Sequence, residues 1–258
     1  MQPVLFEIKN NIAFLTLNRP EKFNSFNREM ALLMQNHLDE CAASAAVRCV
    51  FISGAGKAFS AGQDLAELTG DEPMGIERIL SEHYNPIVTR IRNLAKPIVA
   101  AVNGVAAGAG ANIALCCDVV VATQSASFIQ AFSKIGLIPD SGGTYFLPRL
   151  IGFQKASAIM MLADKVPAEE AEKMGMIYKC FTDETFPAES VKIANILAQM
   201  PTEGLALTKK ALNHSMTSSF EAQLLREDEL QQKAAATYDY NEGVQSFLEK
   251  RKPTFKGE

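Results

Sequence analysis

Residues 97–118 read PIVAAVNGVAAGAGANIALCCD. Pro97 to Val102 is a short apolar run of strand type, and Asn103-Gly104 ends it as a turn. Val105 to Ala111 is a chain of small residues. Asn112 to Cys117 is apolar with a helical pattern, and Asp118 to Ala122 reads as a second strand. Strand, glycine-rich junction, helix and strand in this order predict an α/β fold with parallel pairing.

The pattern extends outward on both sides. Ile12 to Leu17 is a strand that Asn18-Arg19-Pro20 ends. A helix starts near Asn27, because Met30, Leu33, Met34, His37, Leu38 and Cys41 fall on one face at helical spacing. Cys49 to Ser53 is a buried strand, followed by a glycine-rich loop from Gly54 to Gly62. Gly70 to Gly75 is expected to be a mobile surface segment, with a helix from there to about Leu94. After about Pro187 the chain is helix after helix, punctuated by Pro201 and Gly204. The last helix, Asn241 to Lys250, closes on the basic Lys250-Arg251-Lys252. The expected organisation is an α/β core over residues 1–186 and a helical region over 187–258, packed on the core or on a neighbouring subunit.

Composition narrows the function. The 258 residues are 48% hydrophobic, enough for a sizeable core, and the formal net charge is -4. Such a balance speaks against a nucleic-acid surface. The five cysteines lie in apolar stretches without a CxxC spacing, which predicts free thiols in a reducing compartment. No apolar run is long enough for a membrane span, and the first eleven residues lack a leader pattern, so a cytoplasmic protein is expected. The three histidines form no metal-binding pattern.

Two junctions carry the chemistry. One is Phe59-Ser60-Ala61-Gly62-Gln63-Asp64-Leu65 and the other is Gly104 to Asn112. Small residues let a ligand approach the backbone, and a helix N-terminus presents unpaired N–H groups. Side by side, two such junctions can aim two donors at one thioester oxygen, the device that stabilises an enolate. Taken singly, each is also explained by tight helix–strand packing. Neither is a phosphate-binding Walker loop.

These two segments resemble the crotonase superfamily. So, in the same order, do Lys96-Pro97 to Gly104, Gly136 to Gly143, and the ending from Glu242-Gly243 to Phe255. The resemblance implies a spiral of ββα units with a helical C-terminal trimerisation region, as a homotrimer or a dimer of trimers. It implies an acyl-CoA substrate, with no metal and no cofactor beyond the coenzyme A of that substrate. It assigns the oxyanion donors to the backbone N–H groups of Gln63 and Ala109. It puts Ala61, Asp64, Leu65 and Gly108 along the CoA and thioester site, and Lys22 and Lys57 near positions that can meet the CoA phosphates. For both lysines a solvated side chain is the alternative. Phe247 is a candidate to close the acyl or CoA pocket, or a trimer contact.

Carboxylates set the reaction in this superfamily. Hydratases use two glutamates; their positions here hold Asn112 and Phe132, which cannot relay protons. A different acid, Asp140, stands in Ile138-Pro139-Asp140-Ser141-Gly142-Gly143, in the turn that the resemblance directs at the acyl pocket. From composition alone it reads as a helix cap or an Asx turn. One carboxylate beside an oxyanion hole suits a proton shuttle that shifts a double bond. An apolar wall of Phe132, Ile135 and Leu137 would raise the pKa of Asp140. With Tyr84 to Val88 and Ala131 to Asp140 included, the resemblance is nearest to the isomerases that act on ring-epoxide CoA thioesters in phenylacetate breakdown. The alternatives are a hydratase working with one acid and a crotonase-fold protein that only binds.

Overall fold

Strand pairs are the repeating unit of this protein. The computed structural model describes residues 2–69 and 73–258. Part of the segment expected to be mobile, 70–72, and Met1 lie outside the described residues. β1 (Val4–Lys9) and β2 (Ile12–Leu17) form an antiparallel hairpin. At its turn, Asn10 and Asn11 take the positive φ that Asn tolerates. Three further pairs follow: β3 (Cys49–Gly54) with β4 (Ala58–Ser60), β5 (Ile98–Val102) with β6 (Val105–Ala107), and β7 (Val119–Thr123) with β8 (Ser127–Ile129). β9 (Lys165–Pro167) and β10 (Lys179–Phe181) come last.

The first strand of each later pair enters a large sheet, in the order β1-β2-β3-β5-β7-β10, parallel from β2 onward. The second strand enters a small sheet, in the order β4-β6-β8-β9. Helical segments follow each of these pairs. This is the expected spiral of ββα units. β4 and β6 correct the local reading, which took both stretches for junctions. Three-residue strands of small side chains carry no alternation; only pairing with neighbours makes them strands.

The large sheet is buried on both faces. Leu15, Val50, Ile52, Ala100 and Val102 point into the main core. Their alternate neighbours Ile12, Cys49, Phe51, Val99 and Val121 form a second core with Phe186, Ala194 and Ala198. Those last three residues sit on the helix Phe186–Gln199, so the first C-terminal helix covers the outer face of the sheet. The helix Thr202–Ser215 is tied inward by charge. Lys209, almost fully buried, donates to Asp118 at 2.8 Å and to the Ile91 carbonyl at 2.7 Å. Phe220–Ala235 and Tyr238–Leu248 complete the region.

The predicted first helix is Arg28–Ala43, capped by Asn27, whose Oδ1 accepts from the Met30 N–H at 3.0 Å. Met30, Met34, Leu38 and Cys41 of its apolar face are buried. The helix predicted to end near Leu94 has three parts: Ile76–Arg78, a π-helical stretch Ile79–Tyr84, and Asn85–Asn93. Pro86 explains the widened turn. It has no N–H for the Glu82 carbonyl one turn back, and the Gln35 Nε2 donates to that carbonyl instead, at 2.7 Å. All five cysteines are free thiols, and burial pushes Cys41 and Cys49 up to about 12. Among the described residues no helix is long and apolar enough to cross a membrane.

Candidate active site

A cavity of about 470 Å³ opens where the two glycine-rich junctions meet the turn after the helix Ala131–Ile135. Its size suits a small-molecule ligand. Ala61, Gln63 and Leu65 come from the first junction, Gly108 and Ala109 from the second, and Phe132 and Asp140 from the far side. The π turn adds Ile79, Leu80 and Tyr84. A groove of about 740 Å³ lies elsewhere, between the helices Thr202–Ser215 and Phe220–Ala235, and contains none of these residues.

The two junctions that carry the expected oxyanion donors touch each other. A Cβ placed on Gly62 would lie 3.3 Å from the Ala109 nitrogen and 2.9 Å from the Ala107 oxygen. Gly62 has φ +89°, which an L side chain rarely adopts, so glycine is required twice over. The Phe26 N–H donates to the Gly62 carbonyl at 2.6 Å, and the Asp64 N–H donates to the Phe26 carbonyl at 2.8 Å. This parallel bridge fixes Gln63 between them. Ala109 begins the helix Ala109–Leu115, three residues earlier than the pattern suggested, because Gly108 at φ 52° turns the chain into it. As the first residue, its N–H has no partner within the helix. Among the described residues neither the Gln63 nor the Ala109 backbone N–H donates to an acceptor.

Asp140 lines the same cavity, and it does not cap the next helix. Gly143–Ile151 starts after Gly142 with no side-chain cap. The Asp140 Oδ1 accepts from the Ser141 hydroxyl at 2.8 Å. Burial pushes its carboxyl above the usual carboxylate range, against the opposing pull of that hydroxyl. Phe132 is buried in the wall, while Ile135 and Leu137 line the cavity and remain partly open to solvent.

Several residues escaped sequence reasoning or play another part. Asn112 does not line the cavity. Its Nδ2 donates to the Asp140 carbonyl at 2.8 Å, and its Oδ1 accepts from the Gln130 Nε2 at 2.7 Å. The same Asp140 carbonyl accepts from the Gly143 N–H at 2.8 Å. The Asn112 amide thus clamps the turn that bears Asp140. Tyr84 is fully buried and donates to the Gln63 Oε1 at 2.8 Å. The sequence marks it only as part of the segment Tyr84 to Val88, and nothing there signals this contact. Four sequence candidates lie outside the cavity lining, among them Lys57, exposed in the turn between β3 and β4. Asp64 pairs with Arg19 at 2.8 Å and accepts from the Ala66 N–H at 3.2 Å. Burial opposes its charge, but these partners prevail and hold its pKa low. Lys22 is exposed on the turn Pro20–Lys22. Phe247, 83% exposed, lines a separate groove with Val244 and Phe255. Among the described residues no group of His, Cys, Asp or Glu is arranged to hold a metal ion.

A family model described as enoyl-CoA hydratase/isomerase matches residues 7–258. The chain belongs to the enoyl-CoA hydratase/isomerase family. The "1,2-epoxyphenylacetyl-CoA isomerase" of Escherichia coli K12 is 44% identical, covering 100% of this chain and 99% of that one. The "Probable enoyl-CoA hydratase" of Rhodobacter capsulatus is 42% identical over 98% of each. The crystal structure of an enoyl-CoA hydratase from Bacillus anthracis superposes with a TM-score of 0.93, at 31% identity and full coverage of both chains. Relatives named for both reactions therefore match this chain over nearly its full length.

Proposed function

We propose that this protein is an acyl-CoA isomerase. It moves a double bond or rearranges a ring epoxide through a thioester enolate, with 1,2-epoxyphenylacetyl-CoA to the seven-membered oxepin-CoA as its main reaction. The observation that carries this reading is Asp140, the one acid among the described residues that line the cavity, raised in pKa by burial and sharing that cavity with Gln63 and Ala109, whose backbone N–H groups have no acceptor among the described residues. Asp140 removes a proton from the carbon next to the thioester carbonyl. The electron pair shifts onto the carbonyl oxygen, where the two N–H groups hold the enolate. The same carboxyl then returns the proton further along the acyl chain. In the epoxide, the carbon–carbon bond shared by the ring and the epoxide breaks to give the seven-membered ring, and the same carboxyl returns the proton to a ring carbon. Either way atoms are conserved, and the reaction calls for no cofactor beyond the CoA of the substrate.

Hydration needs a second proton-relaying group for water. Asn112 and Phe132 cannot supply one, and Asn112 is committed to Gln130 and the Asp140 carbonyl. The identity to the Escherichia coli isomerase supports the epoxide as substrate. Lys22 and Lys57 are proposed to meet the CoA phosphates. The region 187–258 is proposed to form the trimer, either alone or as a dimer of trimers. Exposed Leu212, Phe220, Leu224 and Leu225 on its helices suit a self-associating face. Free thiols fit a cytoplasmic setting.

The test compares isomerisation of a 3-enoyl-CoA with hydration of crotonyl-CoA, in the parent and in Asp140→Asn. Isomerisation is expected to dominate and to vanish in the variant, while acyl-CoA binding persists. Faster hydration than isomerisation would refute the assignment. Binding without any turnover in the parent would favour a binding protein.

A further inference from the structure

We infer that Tyr84 is a positioning residue that sets the first oxyanion donor through the side chain of Gln63. The inference rests on the oxyanion reading above. The Gln63 amide is held at both ends. Its Oε1 accepts from the Tyr84 hydroxyl at 2.8 Å, and its Nε2 donates to the Glu67 Oε2 at 2.9 Å. Glu67 is anchored in turn, because its Oε1 accepts from the Arg28 N–H at 2.7 Å, at the start of the helix Arg28–Ala43. The chain of contacts joins three elements around the cavity mouth: the π turn, the loop Ala61–Leu65 and the short helix Ala66–Thr69.

The π turn is what delivers Tyr84. The Asn85 N–H bonds to the Leu80 carbonyl five residues back, which widens the helix just before Pro86. Tyr84 is fully buried and its ring meets Phe26 edge-on, with centroids 6.0 Å apart. Phe26 is the residue whose backbone bridges Gly62 and Asp64. Ring and hydroxyl therefore grip the same loop from two sides. Burial, then the negative charge of Asp140, keeps the phenol protonated far above its ordinary range, so it stays a donor at every working pH.

Tyr84→Phe keeps the ring contact and deletes only the hydroxyl. The kcat for 3-enoyl-CoA isomerisation is expected to fall roughly tenfold with KM little changed, part of the 100- to 1,000-fold lost when a donor is removed outright. A second readout follows the hole directly. Phenylacetyl-CoA labelled with ¹³C at the thioester carbonyl is bound to the enzyme and its carbonyl stretch recorded. The parent should shift the band to lower frequency, and Tyr84→Phe should shift it less. Gln63→Met, which removes both amide contacts and retains the backbone N–H, should behave alike and serves if Tyr84→Phe folds poorly. Parental kcat and band position in the variants would overturn the role of Tyr84. No band shift in the parent would instead overturn the oxyanion reading beneath it.

Discussion

Replacing Asn112 by Asp exchanges one NH₂ for an oxygen with almost no change of shape. Asn112 is 1% exposed, so water cannot repair the change. One carboxyl oxygen still accepts from the Gln130 Nε2, now 2.7 Å from the Asn112 Oδ1. The other faces the Asp140 carbonyl oxygen across 2.8 Å with no proton between them. Adjustment is limited, because a Cβ on Gly143 would lie 2.3 Å from the Asn112 Nδ2, which shows how tightly the turn packs on the amide. Leaving a buried acceptor unpaired costs about 1–3 kcal/mol. At roughly 2–4 °C per kcal/mol for a chain of this size, Tm should fall by about 2–12 °C at pH 8. The new carboxyl has a raised folded-state pKa. Its protonated form restores a donor, so the deficit is full at high pH, shrinks as pH falls through that raised value, and is smallest below the unfolded value of about 4. Turnover should fall as well, because a displacement of about 1 Å at the acid can cost on the order of 100-fold. Differential scanning fluorimetry at pH 5 and pH 8, with isomerase kinetics at pH 8, tests both effects. A parental Tm at both pH values together with a parental kcat would show that the amide does not hold the acid's turn.

The kcat/KM profile should lose activity on the acid side above the ordinary carboxylate range, since Asp140 must be ionised to act and burial raises its pKa. A limb at an unshifted carboxylate value would contradict this. A raised pKa also means that ionised Asp140 weakens the fold as pH rises through it, so Asp140→Asn should raise Tm at pH 8 and leave it unchanged near pH 4. A lower Tm at pH 8 would refute that sign. Gly62→Ala should cost about 1–2 kcal/mol from its backbone conformation. Its methyl would also crowd the Ala109 nitrogen and the Ala107 oxygen. Folded variant should then show about a 100-fold or greater loss of kcat, and retained turnover would remove these junctions from the mechanism.

The sequence by itself determined the features that depend on local pattern. Helical spacing from Met30 to Cys41 predicts a buried face, and the helix Arg28–Ala43 buries it. The apolar runs at Ile12, Cys49, Pro97 and Asp118 predict β2, β3, β5 and β7 within a residue or two, but leave β1 unread. Glycine at Gly62 and Gly108 and, through the resemblance, the acid at Asp140 mark a candidate site. β4 and β6 were not legible, because their few small residues become strands only through backbone bonds to distant partners. The roles of Asn112 and Tyr84 were not legible for a related reason. An amide and a phenol acquire meaning from what they touch, and the Asp140 carbonyl and the Gln63 side chain lie far away along the chain. Local pattern sets the longer helices and the apolar strands. Only the folded spiral, by closing long loops, sets which of them share one cavity and which donor meets which acceptor.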